Sequence, residues 1–268
     1  MQQIKWLFAL SVLLGVTACK EDQKMPPSSA TPEYGQDSAA WVVEQAFQVH
    51  ASATLSNSIT EFDFRDYHFK VTRKGGSFSY ERTHTDSAGN AFRDVLTNAV
   101  FYSERNGERV ALTEKDSSAR VESVNSVVYF ALLPYFLKDQ AVKKTLLGAC
   151  TIKGEPYFKI GVRFDQEGGG KDFQDEYVYW IHRAHFTMDY LAYSYKDNKA
   201  PDGLGARFRE AYNIRKAGGV RFADYRNYKP KAPGRPDIYT FDQLFENGAL
   251  EQLSLVELTT VKVHLLPQ

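Results

Sequence analysis

The sequence predicts a mainly β protein of the α+β type: a curved antiparallel sheet or incomplete β-barrel of about ten strands, with an N-terminal helix and an apolar lid helix. Three observations carry this. Aromatic residues, mostly Tyr and Phe, make up 14% of the chain, and such side chains favour pleated, half-buried surfaces. From Ser58 onward apolar and polar residues alternate, and Gly, Pro, Asn and Asp part the runs where a parallel sheet would need crossover helices, which excludes a parallel α/β fold. One segment, Leu112 to Leu137, changes to helical spacing.

Residues 1–18 read as an export signal, with Lys5 as the positive start, Trp6 to Leu14 as the apolar centre, and Gly15, Thr17 and Ala18 before Cys19. The apolar centre is too short to span a bilayer core of ~30 Å, which takes ~20 residues. VTAC resembles a bacterial lipobox, which implies cleavage before Cys19 and acylation of that cysteine; the other reading is an ordinary signal with a chance cysteine. Lys20, Glu21 and Asp22 resemble the lysine-plus-acidic signal with which Bacteroidota send lipoproteins to the outer face of the outer membrane. The alternative is a solvated leash on the periplasmic face. Residues 19–36, with Pro26, Pro27, Ser28, Ser29 and Pro32, cannot bury a core and read as a flexible tether.

Residues 37–268 are long enough for one half-barrel domain. Its first element is a helix over Ala39 to Ala51, where Trp41, Val42, Ala46 and Val49 recur near helical spacing and Asp37 or Ser38 serves as N-cap. In ITEFDFRDYHFKVTRK the alternation slips phase near Arg65 and Asp66, which indicates a bulge or a tight bend. Gly75-Gly76, SAGN and Asn106-Gly107 then mark successive hairpins. The helix that follows is capped by Thr113 or Ser117 and runs to about Leu133, before Pro134. Val127 to Leu137 is almost wholly apolar, so more than one face must be covered. The economical packing lays this helix across the concave sheet, with Val124, Val128, Phe130, Ala131, Leu132, Leu133 and Tyr135 as cavity or lid residues. Asn125 and Ser126 are expected as buried hydrogen-bonding partners. Strands resume in KTLLGACTIKG and continue to VRFADYRNYKP. Residues 231–268 form an extension with a short helix near TFDQLFENG and a final strand, LSLVELTTVKVHLL, returning to the sheet.

The 33 basic and 33 acidic residues give no net charge, against a general nucleic-acid binder. Cys150 has no second cysteine if Cys19 carries lipid, and reads as a small strand residue rather than a reactive thiol. His182 and His185, with Asp189, invite a zinc reading, but their spacing on a strand or hairpin puts the imidazoles on different faces. Asp165, Glu167, Asp172, Asp175 and Glu176 surround a glycine loop with hard oxygen donors, yet the twelve-residue calcium loop is missing, so a calcium site competes with a solvated acidic loop. GGGK lacks the Ser/Thr of a phosphate loop, and neither a nucleophile elbow nor HExxH occurs. No metal or cofactor is expected. Arg207, Arg209 and Arg215 alternate on one side of RFREAYNIR; they are either headgroup ligands at a cavity mouth or an outer face paired with carboxylates.

The lipobox, N-terminal helix, meander, apolar helical insertion and strand pair YVYWIHRAHFTMDYLAYSY resemble the lipoprotein-carrier superfamily of LolA, LolB and LppX-like proteins. That resemblance implies a half-barrel with a helical lid over an apolar cavity for acyl chains. VNSVVYFALLPY, EGGGKDFQDEYVYWI and RFREAYN further resemble a flavobacterial lipoprotein family of unknown function, which implies a compartment and a shape. A LolA-type shuttle is itself soluble, whereas this chain is expected to be anchored. The expectation is therefore an outer-membrane lipoprotein, facing the cell surface, that binds an apolar or amphipathic lipid-like ligand. The alternatives are a cavity-based hydrolase and a structural envelope protein without ligand. Its expected partners are the membrane, through the N-terminal lipid, and that ligand.

Overall fold

In the computed structural model, which describes residues 36–165, 175–197, 203–232, 234 and 237–267, helix α1 (Gln36–Val49) precedes a six-strand meander. Its strands are β1 (Asn57–Phe64), β2 (Tyr67–Lys74), β3 (Ser77–Thr85), β4 (Ala91–Thr97), β5 (Phe101–Arg105) and β6 (Glu108–Val110). The phase slip in the sequence is the tight bend: Phe64 pairs with Tyr67 across Arg65-Asp66, and Arg65 takes φ 56° to close the turn. Asn106 and Gly107 both have positive φ, 52° and 83°, as a type I′ hairpin between β5 and β6 requires.

Helix α2 (Glu114–Ala131) follows, capped by Thr113, whose hydroxyl accepts the Asp116 amide at 3.1 Å. It ends two residues short of the expected Leu133. Pro134 has no N–H to donate and restricts the residue before it, and the chain tightens there into 3-10 turns. A second meander then runs through β7 (Val142–Ile152), β8 (Glu155–Phe164), β9 (Tyr177–His182), β10 (Met188–Lys196), β11 (Leu204–Ala217) and β12 (Val220–Pro230). The short helix α3 (Phe241–Glu246) leads to β13 (Leu250–Val256) and β14 (Thr259–Leu265).

The strands form two antiparallel sheets of seven, ordered β14–β1–β2–β3–β4–β5–β6 and β13–β12–β11–β10–β9–β8–β7, with no closed barrel. The mainly β, antiparallel class is as the sequence indicates, but fourteen strands among the described residues, in two sheets, replace about ten. The count rises partly because LSLVELTTVKVHLL is two strands, one for each sheet. At its middle the Leu258 amide donates to the Asp224 carboxylate at 2.9 Å, which breaks the ladder. The chain therefore crosses between the sheets at two places, through α2 and through Glu257-Leu258.

Burial explains the rest. The second sheet is covered on both faces, and so every residue of β9 is buried, Tyr177, Tyr179 and Ile181 on one side and Val178 and Trp180 on the other. Helix α1 buries Ala39, Val42, Val43 and Ala46 against the first of these faces. Trp41 and Val49, expected on that stripe, are instead exposed, and Trp41 meets Phe186 edge to face at 5.4 Å. Helix α3 places Phe241 beside Trp180 and Phe208 on the opposite face. Helix α2 packs two ways: Val124, Val128 and Leu132 join the core of the first sheet, while Tyr129 and Phe130 pack against that of the second.

Candidate functional site

The two-sided packing of α2 leaves space beside the helix. A cavity of about 300 Å³ lies among the β1–β2 turn, α2 and the inner face of the second sheet. Phe64 and Arg65 line it from the turn, Ser126, Val127, Phe130 and Ala131 from the helix, and Tyr177, Tyr193, Tyr195, Arg209 and Tyr225 from the sheet. A second space of about 420 Å³ lies along α2, with Arg73, Phe78, Tyr80, Tyr129 and Phe136 in its walls. Ser126, Phe130 and Tyr177 line both, so the two are neighbours parted by those side chains. A larger, more open groove of about 660 Å³ lies at the hairpin tips, with the charged side chains Asp63, Arg93 and Glu104 among its walls.

The strand register sets the chemistry of the inner face. Tyr177 opposes Tyr193, and Tyr193 opposes Arg207, so Arg207 and Arg209 lie on the cavity face, while Phe208 turns outward to Trp180 and Phe241. Arg209 is 9% exposed. Its guanidinium carbon lies 4.1 Å from the centre of the Phe130 ring and 5.1 Å from that of Tyr193, and Nη2 donates to the Tyr193 hydroxyl at 3.0 Å. Nε and Nη1 are buried with no hydrogen-bond partner among the described residues. In the neighbouring space Arg73 sits 4.7 Å from the Tyr135 ring centre, and its Nε donates to the Tyr135 hydroxyl at 3.1 Å. Tyr129 and Tyr179 share a hydrogen bond of 2.8 Å, and burial raises both phenols well above their ordinary pKa.

Of the lid residues read from the sequence, Phe130 and Ala131 line the first cavity, whereas Val124, Val128, Leu132 and Leu133 are core. Tyr135 is held by Arg73. Asn125 is exposed and Ser126 half-buried at the cavity walls, not the buried partners expected, because α2 turns this side towards open space. The arginine row does not hold together. Arg207 lies over Tyr195 and donates to the Ala206 carbonyl at 2.8 Å. Arg215 is turned away by a bulge between Tyr212 and Arg215, where Asn213 takes φ 47°, and binds the Asp224 carboxylate at 2.9 Å. The inner tyrosines were missed. Their i, i+2 spacing at Tyr177/Tyr179 and Tyr193/Tyr195 marks a common face, but not which face would be inside.

Glu167 and Asp172 lie outside the described residues; Asp165 pairs with Lys143 at 2.9 Å, and Asp175 lines the first cavity. No group of three or more His, Cys, Asp and Glu that could hold a metal occurs among the described residues. His182 and His185 do not point to different faces: the turn stacks their rings 4.5 Å apart. The Nδ1 of His182 accepts the amides of Ala184 and His185, both at 3.1 Å, which folds the turn back on the strand. Burial pushes the Cys150 thiol up to about 12, so the thiolate is suppressed. No helix among the described residues is long and apolar enough to cross a membrane.

Fold and site together define a two-sheet antiparallel protein with a helix-flanked, aromatic cavity. Residues 3–258 match a family described as a family of unknown function, DUF6503, and the chain belongs to that family. No curated protein matches it. Among solved structures it is similar to a LolA superfamily protein from Nitrosomonas europaea, 13% identical, with 85% of this chain and 94% of that one covered and a TM-score of 0.41. It is also similar to a putative outer membrane lipoprotein-sorting protein domain from Vibrio parahaemolyticus, 11% identical, 70% and 86% covered, TM-score 0.38. The lipoprotein LppX from Mycobacterium tuberculosis is 11% identical, with 57% and 87% covered and a TM-score of 0.24.

Proposed function

We propose that the protein is a lipid-anchored envelope protein that holds an apolar or amphipathic, lipid-like ligand between its sheets. The observation that carries this reading is the cavity of about 300 Å³ walled by Phe64, Phe130, Tyr177, Tyr193 and Tyr225. Ligand sites are typically ~300 to 1,000 Å³ and mostly apolar, with few polar groups. The deciding measurement is native mass spectrometry of the full chain released from membrane-scaffold nanodiscs. A bound lipid-like mass is expected, and a bare protein that also fails to bind apolar probes sinks the reading.

The anchor rests on VTAC and Cys19. Cys19→Ser is expected to abolish acylation and leave a soluble or unprocessed chain; unchanged partitioning with the outer membrane would refute the lipid anchor. The surface reading rests on Lys20, Glu21 and Asp22. Changing all three to alanine is expected to keep the lipid but hide the protein from protease added to whole cells. Equal protease access before and after the change removes the reading of these three residues as a surface-export signal.

A further inference from the structure

We infer that Arg209 is a receptor for the anionic end of an amphiphile, so that the cavity takes carboxylate- or phosphate-headed chains in preference to neutral ones. This rests on the cavity reading above and adds to it the charge of the head. Arginine stays protonated in a protein interior, so burial cannot be relieved by losing the charge. Two other arginines show how this fold treats deeply buried guanidinium groups. Arg82 and Arg221, with side chains 11% and 9% exposed, hold Asp94 at 2.5 Å and Asp189 at 2.9 Å. Arg209 is buried to the same depth, yet no carboxylate lies within 4.0 Å of it among the described residues, and its one bond goes to a neutral phenol.

The rings of Phe130 and Tyr193 offset part of that cost, but a ring face accepts no hydrogen bond of the strength an oxyanion does. Nε and Nη1 remain as two buried donors beside a cavity with space for a ligand. Nε and Nη1 point to different edges of the guanidinium, so a head with two oxygens, a carboxylate or a phosphate ester, grips it side by side through Nη1 and Nη2 and takes the place of the Tyr193 hydroxyl on Nη2. The apolar walls at Phe64, Val127, Val256 and Leu258 receive the chain attached to that head. A free inorganic anion would fill the charge requirement and leave those walls uncovered, which is why the amphiphile is the better occupant.

The test uses the full-length protein in phosphatidylcholine nanodiscs, photolabelled with a diazirine-bearing decanoic acid and, separately, with the matching decanol. Labelled residues are mapped by peptide mass spectrometry. The acid is expected to label α2 and the inner face of the second sheet. Decanoate and decyl phosphate are expected to displace it roughly tenfold better than decanol or inorganic phosphate. Arg209→Gln is expected to remove the preference of decanoate over decanol, read as the ratio of the two within each protein, and Arg209→Lys to keep part of it. Because Arg209→Gln deletes an unpaired buried charge, it is also expected to hold or raise the melting temperature without ligand, which verifies folding.

Equal competition by decanoate and decanol, or an acid preference that survives Arg209→Gln, overturns the proposal while the cavity reading stands. Inorganic phosphate competing as well as decanoate overturns it in favour of a free anion. Failure of every probe to label the cavity overturns both.

Discussion

His50, just beyond α1, accepts the Met188 amide on Nε2 at 3.1 Å. Burial, with the Arg221 charge adding to it, pushes its pKa down to about 3. In an unfolded chain a histidine titrates near ~6.5, so as the pH falls the unfolded state takes up this proton first. The contribution of His50 to stability is thus complete above that value and is lost progressively between it and about 3. A loss of about 2 kcal/mol between pH 7 and pH 5 is expected from this residue, by linkage. Urea midpoints at the two pH values check it. The His50→Gln protein is expected to lose less over that interval, and an equally steep drop would show that other groups are responsible.

At the scale of elements the seat of α2 matters most. Asp94 on β4 takes the Arg120 guanidinium of the helix at 3.0 Å, Arg82 of β3 at 2.5 Å and the Ser103 hydroxyl of β5 at 2.5 Å. Burial opposes ionisation, but these three partners hold the carboxyl below its usual range. Asp94→Asn removes the carboxylate from the buried Arg82, and a loss of about 3 kcal/mol in a denaturation curve is expected. Thr113→Ala, which removes only the cap, is expected to cost about 1 kcal/mol. Leu133→Asp buries a charge in the core and is expected to prevent folding, whereas Phe130→Asp changes a half-buried cavity wall and weakens retention of apolar probes.

The helix, its cap and the hairpin turns were legible because each depends on neighbours in sequence: Thr113 three residues from Asp116, Asn106 beside Gly107. The arginine row splits for the opposite reason. A period of two holds only while the strand is regular, and the bulge at Asn213 that turns Arg215 away depends on Asp224 and Leu258, which are distant in sequence. The sequence marks Arg209 as a candidate, but its depth and its ring contacts depend on Phe130 and Tyr193 arriving from other elements.

For the whole molecule the decisive place is the step between β13 and β14. Asp224, with its side chain 3% exposed, gathers Asn213 at 2.6 Å, Arg215 at 2.9 Å and the Leu258 amide at 2.9 Å. Arg215 also donates to the Leu258 carbonyl. A chain ending at Val256 loses this junction and exposes the edge of β1, which β14 covers from Ser58 to Asp63. Such a chain is expected to aggregate on size-exclusion chromatography. A monomer with the parent melting temperature would show that the junction holds nothing together.

That junction also sets a mechanical ratio. Strands lie about 4.8 Å apart, so seven of them carry the rim of each sheet roughly 29 Å from the axis at Glu257-Leu258. A rotation of about 10° there moves a rim by about 5 Å, close to one strand spacing. The two sheets are thus joined at both ends of their strand order, at Glu257-Leu258 and through the segment containing α2. A turn at the junction is therefore taken up at the far rims by that segment, whose Val124, Val128 and Leu132 sit in the core.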